Sequence, residues 1–305
     1  MMRSWTTVTL DKARCATRPR MRAAARAALT GMCLQCLAKL GQSEAGFAQL
    51  GSLPSCVRIR SPWETLTACR QAMESRSAGA YMRFGDGDVN LMRGRDELLQ
   101  KANPSLQVEM LEAFSLAGPG ILKCLPIHSE RFGMWPGMKP GLHSSDDQWA
   151  ENLLSHCPQF FIGEPIYSNV ALAYVAVFDP PFAMDFLRML RERADLFIGN
   201  NDVPEKVLNT LFGDIPRVAC PPSGAYVSAD RVTEQAMACL GDGRHHSIVI
   251  AMGCSGRVLA KRLLNSGLDV FVFDFGSLLD ALCDWNSRAW MRMAPRSVRY
   301  ILDEL

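Results

Sequence analysis

Apolar residues recur along this chain in short unbroken runs, separated by stretches in which they return every three or four positions. The runs are Ala80-Tyr81-Met82-Arg83-Phe84, Ile121 to Pro126, Gln159 to Gly163, Leu196 to Gly199, Arg217 to Cys220, Ser247 to Met252 and Asp269 to Phe275. Each is short enough for a strand, and glycine, proline or acidic residues stop them. Helical spacing lies between them. After Asp179-Pro180-Pro181, an acidic cap followed by proline, Phe182, Phe186, Leu187 and Leu190 share one face. From Arg257 to Asn265 the apolar positions Val258, Leu259, Leu263 and Leu264 predict a helix closed by Gly267. Strands that are apolar throughout and alternate with helices are buried on both faces. The pattern predicts an α/β fold: a doubly wound, mostly parallel, Rossmann-like sheet flanked by helices. Ligands in such sheets bind beyond the carboxyl ends of the strands, so the chemistry is sought there.

Three strand ends carry unusual residues. Arg83-Phe84-Gly85-Asp86-Gly87-Asp88 puts two glycines and two carboxylates in one turn. Read as an extended turn, Asp86 and Asp88 face one point and suit a hard divalent cation such as Mg²⁺ or Mn²⁺, with Arg83 beside it for phosphate oxygens. An exposed Asp-Gly turn with Arg83 in a salt bridge is the simpler reading. Gly253-Cys254-Ser255-Gly256, between a strand and a helix, offers backbone N–H groups to a phosphate. It lacks full dinucleotide spacing, and a close strand-to-helix turn explains it equally well. Asp274, 21 positions after Gly253, is placed to bond a ribose or sugar hydroxyl or to cap the next helix. Asp280, Asp284, Trp285 and Trp290 follow as an acidic and aromatic group, and His128 follows the Ile121–Pro126 run. His245 and His246 precede a strand and fall at the opposite end of the sheet.

Composition narrows the classes. The chain has 305 residues, a net charge of +2 and no apolar run near the ~18 residues of a membrane span. That charge is uneven: residues 1–43 hold eight basic residues against Asp11, or +7, leaving −5 for the rest. Eleven scattered cysteines point to a reducing compartment rather than a disulfide framework, and the Cys33–Cys36 pair lacks partners for a zinc site. There is no G-x-S-x-G elbow and no phosphate-binding loop of the G-x-x-x-x-G-K-[ST] type. Basic residues of the body do not cluster with aromatics, so a nucleic-acid partner is not expected. The head, residues 1–60, is expected to be a poorly ordered basic extension, a membrane-surface or partner helix, or a transit peptide.

In this order the motifs resemble the bacterial glycosyltransferases of the GT-D fold. Arg83 to Asp88 is similar to that family's Arg-Phe/Tyr-Gly-Asp-Gly-Glu, with Asp88 in place of Glu. Pro221-Pro222-Ser223-Gly224-Ala225-Tyr226 echoes its Pro-x-x-Asn-Ala-Phe segment, and Met252-Gly253-Cys254-Ser255-Gly256 with Leu259, Ala260 and Gly267 its late turn and helix. Asp274-Phe275-Gly276-Ser277 matches Asp-Ile-Gly-His with Ser277 for the His, and Gly163-Glu164-Pro165 stands where the family has a Thr-Arg-Pro-like string. The resemblance implies a GT-D-like domain over 61–305 and a metal-dependent hexosyltransferase that uses a nucleotide-sugar such as a UDP-sugar. Its acceptor would be a glycan or lipid-linked molecule in polysaccharide or glycoconjugate assembly. The cysteine usage points to a cytoplasmic site, and the basic N-terminal segment to peripheral contact with the inner face of the membrane. Asp86 and Asp88 would hold the metal; Arg83, Gly85, Gly87, Gly253, Ser255, Gly256 and Asp274 would bind the donor. Asp280 or Asp284 would be the base. Two other readings stay open: a Rossmann-like methyltransferase or dehydrogenase, and a non-catalytic subunit that keeps the fold.

Overall fold

The computed structural model describes residues 58–125, 165–241, 243–284, 287 and 297–305. The basic head, Cys33 and Cys36, His128, the predicted strand at 159–163, Trp285 and Trp290 lie outside the described residues.

Eight strands pair in parallel in the order β1-β4-β3-β2-β8-β7-β5-β6. They are β1 (Arg58–Ile59), β2 (Gly79–Arg83), β3 (Ile121–Leu125), β4 (Pro165–Ser168), β5 (Ala194–Asn200), β6 (Arg217–Cys220), β7 (His246–Ala251) and β8 (Val270–Asp274). The six predicted runs among the described residues are strands of this sheet. The predicted pattern does not include β1 or β4, because two residues and a four-residue stretch opening on proline carry too little periodicity.

Helices fill the connections: α1 (Pro62–Glu74), α2 (Asp86–Met92), α3 (Pro104–Phe114), α4 (Ala171–Phe178), α5 (Pro180–Arg193), α6 (Glu205–Phe212), α7 (Ala229–Leu240), α8 (Ser255–Asn265), α9 (Leu278–Cys283) and α10 (Tyr300–Glu304). Three of them begin with a polar cap followed by proline. The Ser61 hydroxyl accepts from the Glu64 N–H at 3.2 Å while the Ser61 N–H donates to Glu64 Oε2 at 2.8 Å. Asn103 caps α3 through the Leu106 N–H, and Asp179 caps α5 through the Phe182 N–H. Each such cap contributes about 1 kcal/mol.

Alternate strand residues feed two apolar layers. Met82, Ile198, Ile248, Ile250 and Val272 pack under α2, α3, α7 and α8. Tyr81, Phe197, Val249, Phe271 and Phe273 pack under α1, α4, α5, α6 and α9. This sorting creates a switch point. The neighbours β5 and β7 send their chains to opposite faces, β5 through α6 and β7 through α8, so a crevice opens beyond their carboxyl ends.

Candidate functional site

A cleft of about 310 Å³ opens at that crevice. It is lined by the turns after β2, β6, β7 and β8, by Asn169 and Asn200 at two further strand ends, by the Glu97–Gln100 loop and by Asp280 of α9. The structure therefore brings Arg83, Gly85, Asp86, Gly87, Asp88, Gly253, Ser255, Asp274 and Asp280 together. Gly256 and Asp284 are not among the lining residues. The Gly256 N–H is spent on Gly253 O at 3.1 Å, and a Cβ on Gly256 would press on Ile250 Cδ1 at 3.2 Å, so this glycine serves helix-to-sheet packing. Asp284 ends α9 as an exposed C-cap residue.

The turn after β2 differs from the extended arrangement predicted for it. Asp86 is the first residue of α2, and residues two apart on a helix point roughly 200° apart around its axis. The two carboxylates diverge. Asp86 is exposed, with Oδ1 accepting from the Gly87 N–H at 2.8 Å. Asp88 is 2% exposed and turns back so that Oδ2 accepts from the Gly85 N–H at 2.8 Å. Gly87 leaves room for the neighbouring loop, since a Cβ there would lie 2.6 Å from Glu97 Cγ.

The partner of Asp88 comes from the next site in sequence. Arg257, in the first turn of α8, places Nη2 3.2 Å from Asp88 Oδ2 and Nε 3.2 Å from Oδ1. Its Nη1 lies 2.8 Å from Asp274 Oδ2 and donates to Gly253 O at 2.7 Å. Residues from the ends of β2, β7 and β8 are joined through one buried guanidinium. Burial pushes the Asp88 carboxyl above its ordinary pKa, with the charge of Arg257 opposing. Burial also works against the charge on Arg257, but Asp88 and Asp274 outweigh it and hold its pKa above the ordinary guanidinium value. Cys254 lies half-buried beside them at the cleft wall; burial first, then Asp88, drives its thiol pKa far up.

Arg83 extends the cluster. Its Nη1 is 3.7 Å from Asp274 Oδ1, and its Nε donates to the Asn169 carbonyl. The Ser255 hydroxyl points to Gln100 Oε1 at 3.2 Å, so this residue can offer a ligand its backbone rather than its side chain. Gln100 Oε1 also accepts from the Tyr226 N–H at 3.1 Å, and Leu99 O accepts from the Gly224 N–H at 2.7 Å. Those bonds bind the Glu97–Gln100 loop to the 221–226 segment. Asn169 and Gln100 were not singled out from sequence, and Arg257 and Gly276 stood within the motifs without a role of their own. Arg257 had a signal, as the first charged residue after the glycine turn; Gln100 and Asn169 had none.

Among the described residues no three His, Cys, Asp or Glu side chains converge as a metal-binding group. The donor set nevertheless fits a divalent cation in one way. The cleft is lined by five carboxylates and two guanidiniums, an excess of negative charge that a phosphate ligand cannot meet alone. Hard cations are often held by one carboxylate plus the ligand's own phosphate oxygens. Asp86 is exposed at the cleft and suits that task; Asp88 is already covered by Arg257.

A sequence comparison with the curated proteins finds no match. Among solved structures the chain is similar to a domain of unknown function 1792 described as having a distinct glycosyltransferase fold. The TM-score is 0.54 at 19% identity, over 82% of this chain and 90% of that one. It is also similar to a glycosyltransferase of that domain family from Streptococcus sanguinis, with a TM-score of 0.53 at 20% identity over 81% and 92% of the two chains. Those likenesses establish the fold. The sequence profile described as "Glycosyltransferase GT-D fold" matches residues 81–296, a span that includes every turn of the cleft, and the chain belongs to that family.

Proposed function

We propose that the cleft binds a nucleotide-diphosphate sugar, such as a UDP-sugar, and passes its sugar to a glycan or lipid-linked acceptor in polysaccharide or glycoconjugate assembly. The observation that carries this reading is the meeting of the Arg83–Asp88, Gly253–Ser255 and Asp274–Ser277 turns in one cleft at the switch point of the sheet. Arg83 is a cation at the wall, and the turn entering α8 would offer the backbone N–H groups of Gly253 to Ser255 and the positive end of a helix to a phosphate. Asp86 would hold Mn²⁺ or Mg²⁺ against the diphosphate. Such an ion neutralises the charge that grows on the leaving nucleotide. Asp274, 4% exposed and facing two guanidiniums, serves to fix Arg83 and Arg257 rather than to bond a sugar hydroxyl. Asp280, half-buried at the cleft wall, would take the proton of the acceptor hydroxyl.

No helix among the described residues is long and apolar enough to cross a membrane. The +7 segment at residues 1–43 supplies charge for an anionic lipid surface, where a lipid-linked acceptor would reside. Calorimetry with UDP and UDP-sugars, with and without Mn²⁺, tests the donor reading. Mn²⁺-strengthened binding supports it; binding of S-adenosylmethionine or NAD without metal, and none of UDP, overturns it.

A further inference from the structure

Asp88 stands at a position whose counterpart in the GT-D resemblance is tied to the metal, yet its surroundings suit another task. Its side chain is 3% exposed, and the Arg257 guanidinium lies 3.2 Å from each of its oxygens. A divalent cation at Asp88 would have to displace that guanidinium. Arg257 is not free to leave: Gly253 O and Asp274 Oδ2 hold its Nη1 at 2.7 and 2.8 Å. Nor can it lose its charge, since guanidinium stays protonated in proteins. Bringing a second cation beside it in a buried setting is disfavoured by Coulomb repulsion that solvent barely screens.

We propose that Asp88 is a positioning residue and not a cation ligand. With Asp274 it clamps Arg257, which locks the turn after β2 against the turn after β7 and leaves Asp86 as the carboxylate of that pair that meets the cation. The inference rests on the reading of the cleft as a cation-assisted nucleoside-diphosphate site. The clamp has a geometric logic. Asp88 is bound to its own turn through the Gly85 N–H and to the opposite turn through Arg257. Holding these two turns together fixes the distance between the Asp86 carboxylate and the backbone of Gly253 to Ser255, the two groups a diphosphate would bridge.

The test is Mn²⁺ binding, read by the electron paramagnetic resonance of free Mn²⁺ in the presence and absence of UDP, on the full chain and its variants. Asp86→Asn is expected to weaken Mn²⁺ binding by about tenfold or more, whereas Asp88→Asn keeps it within about threefold. In donor hydrolysis, Asp88→Asn raises KM for the UDP-sugar while kcat at saturating donor stays within about threefold, because the turns can still be closed by bound donor. A merely structural role would reduce the active fraction and leave KM unchanged. If Asp88→Asn does not fold, the triple variant Asp88→Asn/Arg257→Met/Asp274→Asn removes every charge that meets at the clamp and gives the same readout. Loss of Mn²⁺ binding in Asp88→Asn as severe as in Asp86→Asn overturns the proposal. Failure of the unaltered chain to bind UDP with or without Mn²⁺ overturns the donor reading instead, and Mn²⁺ binding without UDP still separates Asp86 from Asp88.

Discussion

The guanidinium of Arg83 occupies the place where a side chain on Gly276 would begin. Any side-chain carbon at position 276 would overlap Arg83 Nη1, and Gly276 has φ +69°, a left-handed conformation that side chains disfavour. Arg83 reaches this place from the end of β2, with its Nε on the Asn169 carbonyl beyond β4. The absence of a side chain after β8 thus leaves the space that the Arg83 guanidinium fills.

Gly276→Ala should therefore act on two properties at once. Strain and overlap are expected to cost about 1–3 kcal/mol of stability. The displaced Arg83 should weaken UDP binding as well. Urea denaturation and calorimetry measure the two effects separately; an alanine variant with unchanged UDP affinity would show that Arg83 takes no part in binding.

Asp86→Asn makes the opposite prediction for stability. Asp86 is exposed and accepts a hydrogen bond from its neighbour's N–H, so the stability read from urea unfolding should change by no more than about 0.5 kcal/mol. Mn²⁺-dependent UDP binding should nevertheless be lost. Metal-dependent binding that survives in this variant would remove Asp86 from the site.

Arg257→Met would strand Asp88 and Asp274 without their shared cation. Breaking a buried pair in this way costs about 3–5 kcal/mol at neutral pH. The loss should shrink in acid: burial has already raised the Asp88 pKa, and without Arg257 it rises further, so the unpaired carboxyl sheds its charge sooner. Thermal melts of the variant and the parent at pH 5 and pH 7.5 check this, and a gap in stability that does not narrow toward pH 5 contradicts it.

Glu109 has the opposite sign. Burial pushes its carboxyl up, but hydrogen bonds from Arg262 and Lys261 outweigh this and bring it down to about 2 from the ordinary 4.5. A group lowered on folding gives stability that is fully present above its unfolded pKa and lost as pH falls through the folded one. The contribution of Glu109 should accordingly fade between about pH 4.5 and 2. Glu109→Gln should flatten acid unfolding in that window, which circular dichroism at stepped pH would register.

Cys254 should resist alkylation in the folded chain. Burial and Asp88 push its thiol pKa up and it is half-buried, whereas Cys239 and Cys283 are exposed. Mass spectrometry after iodoacetamide at pH 8 should find Cys239 and Cys283 modified before Cys254; early labelling of Cys254 would mean that the clamp around it opens readily.

The apolar runs by themselves determined the layered fold, because a strand buried on both faces must be apolar at every position whatever its neighbours are. Caps did the same for helix starts: Asp179-Pro180 marks α5 in sequence and caps it in space. The carboxyl-end rule then located the cleft, since strand direction in a parallel sheet fixes which loops meet. What sequence spacing could not decide was the direction of each side chain. Asp86 and Asp88 are two apart in either conformation, but a helix begins at Asp86 and turns them away from each other. Arg257 lies 169 positions from Asp88 and 17 from Asp274, separations that carry no periodic signal. Only the order of strands, which sets β8 between β2 and β7, brings those three residues to one point and divides their work.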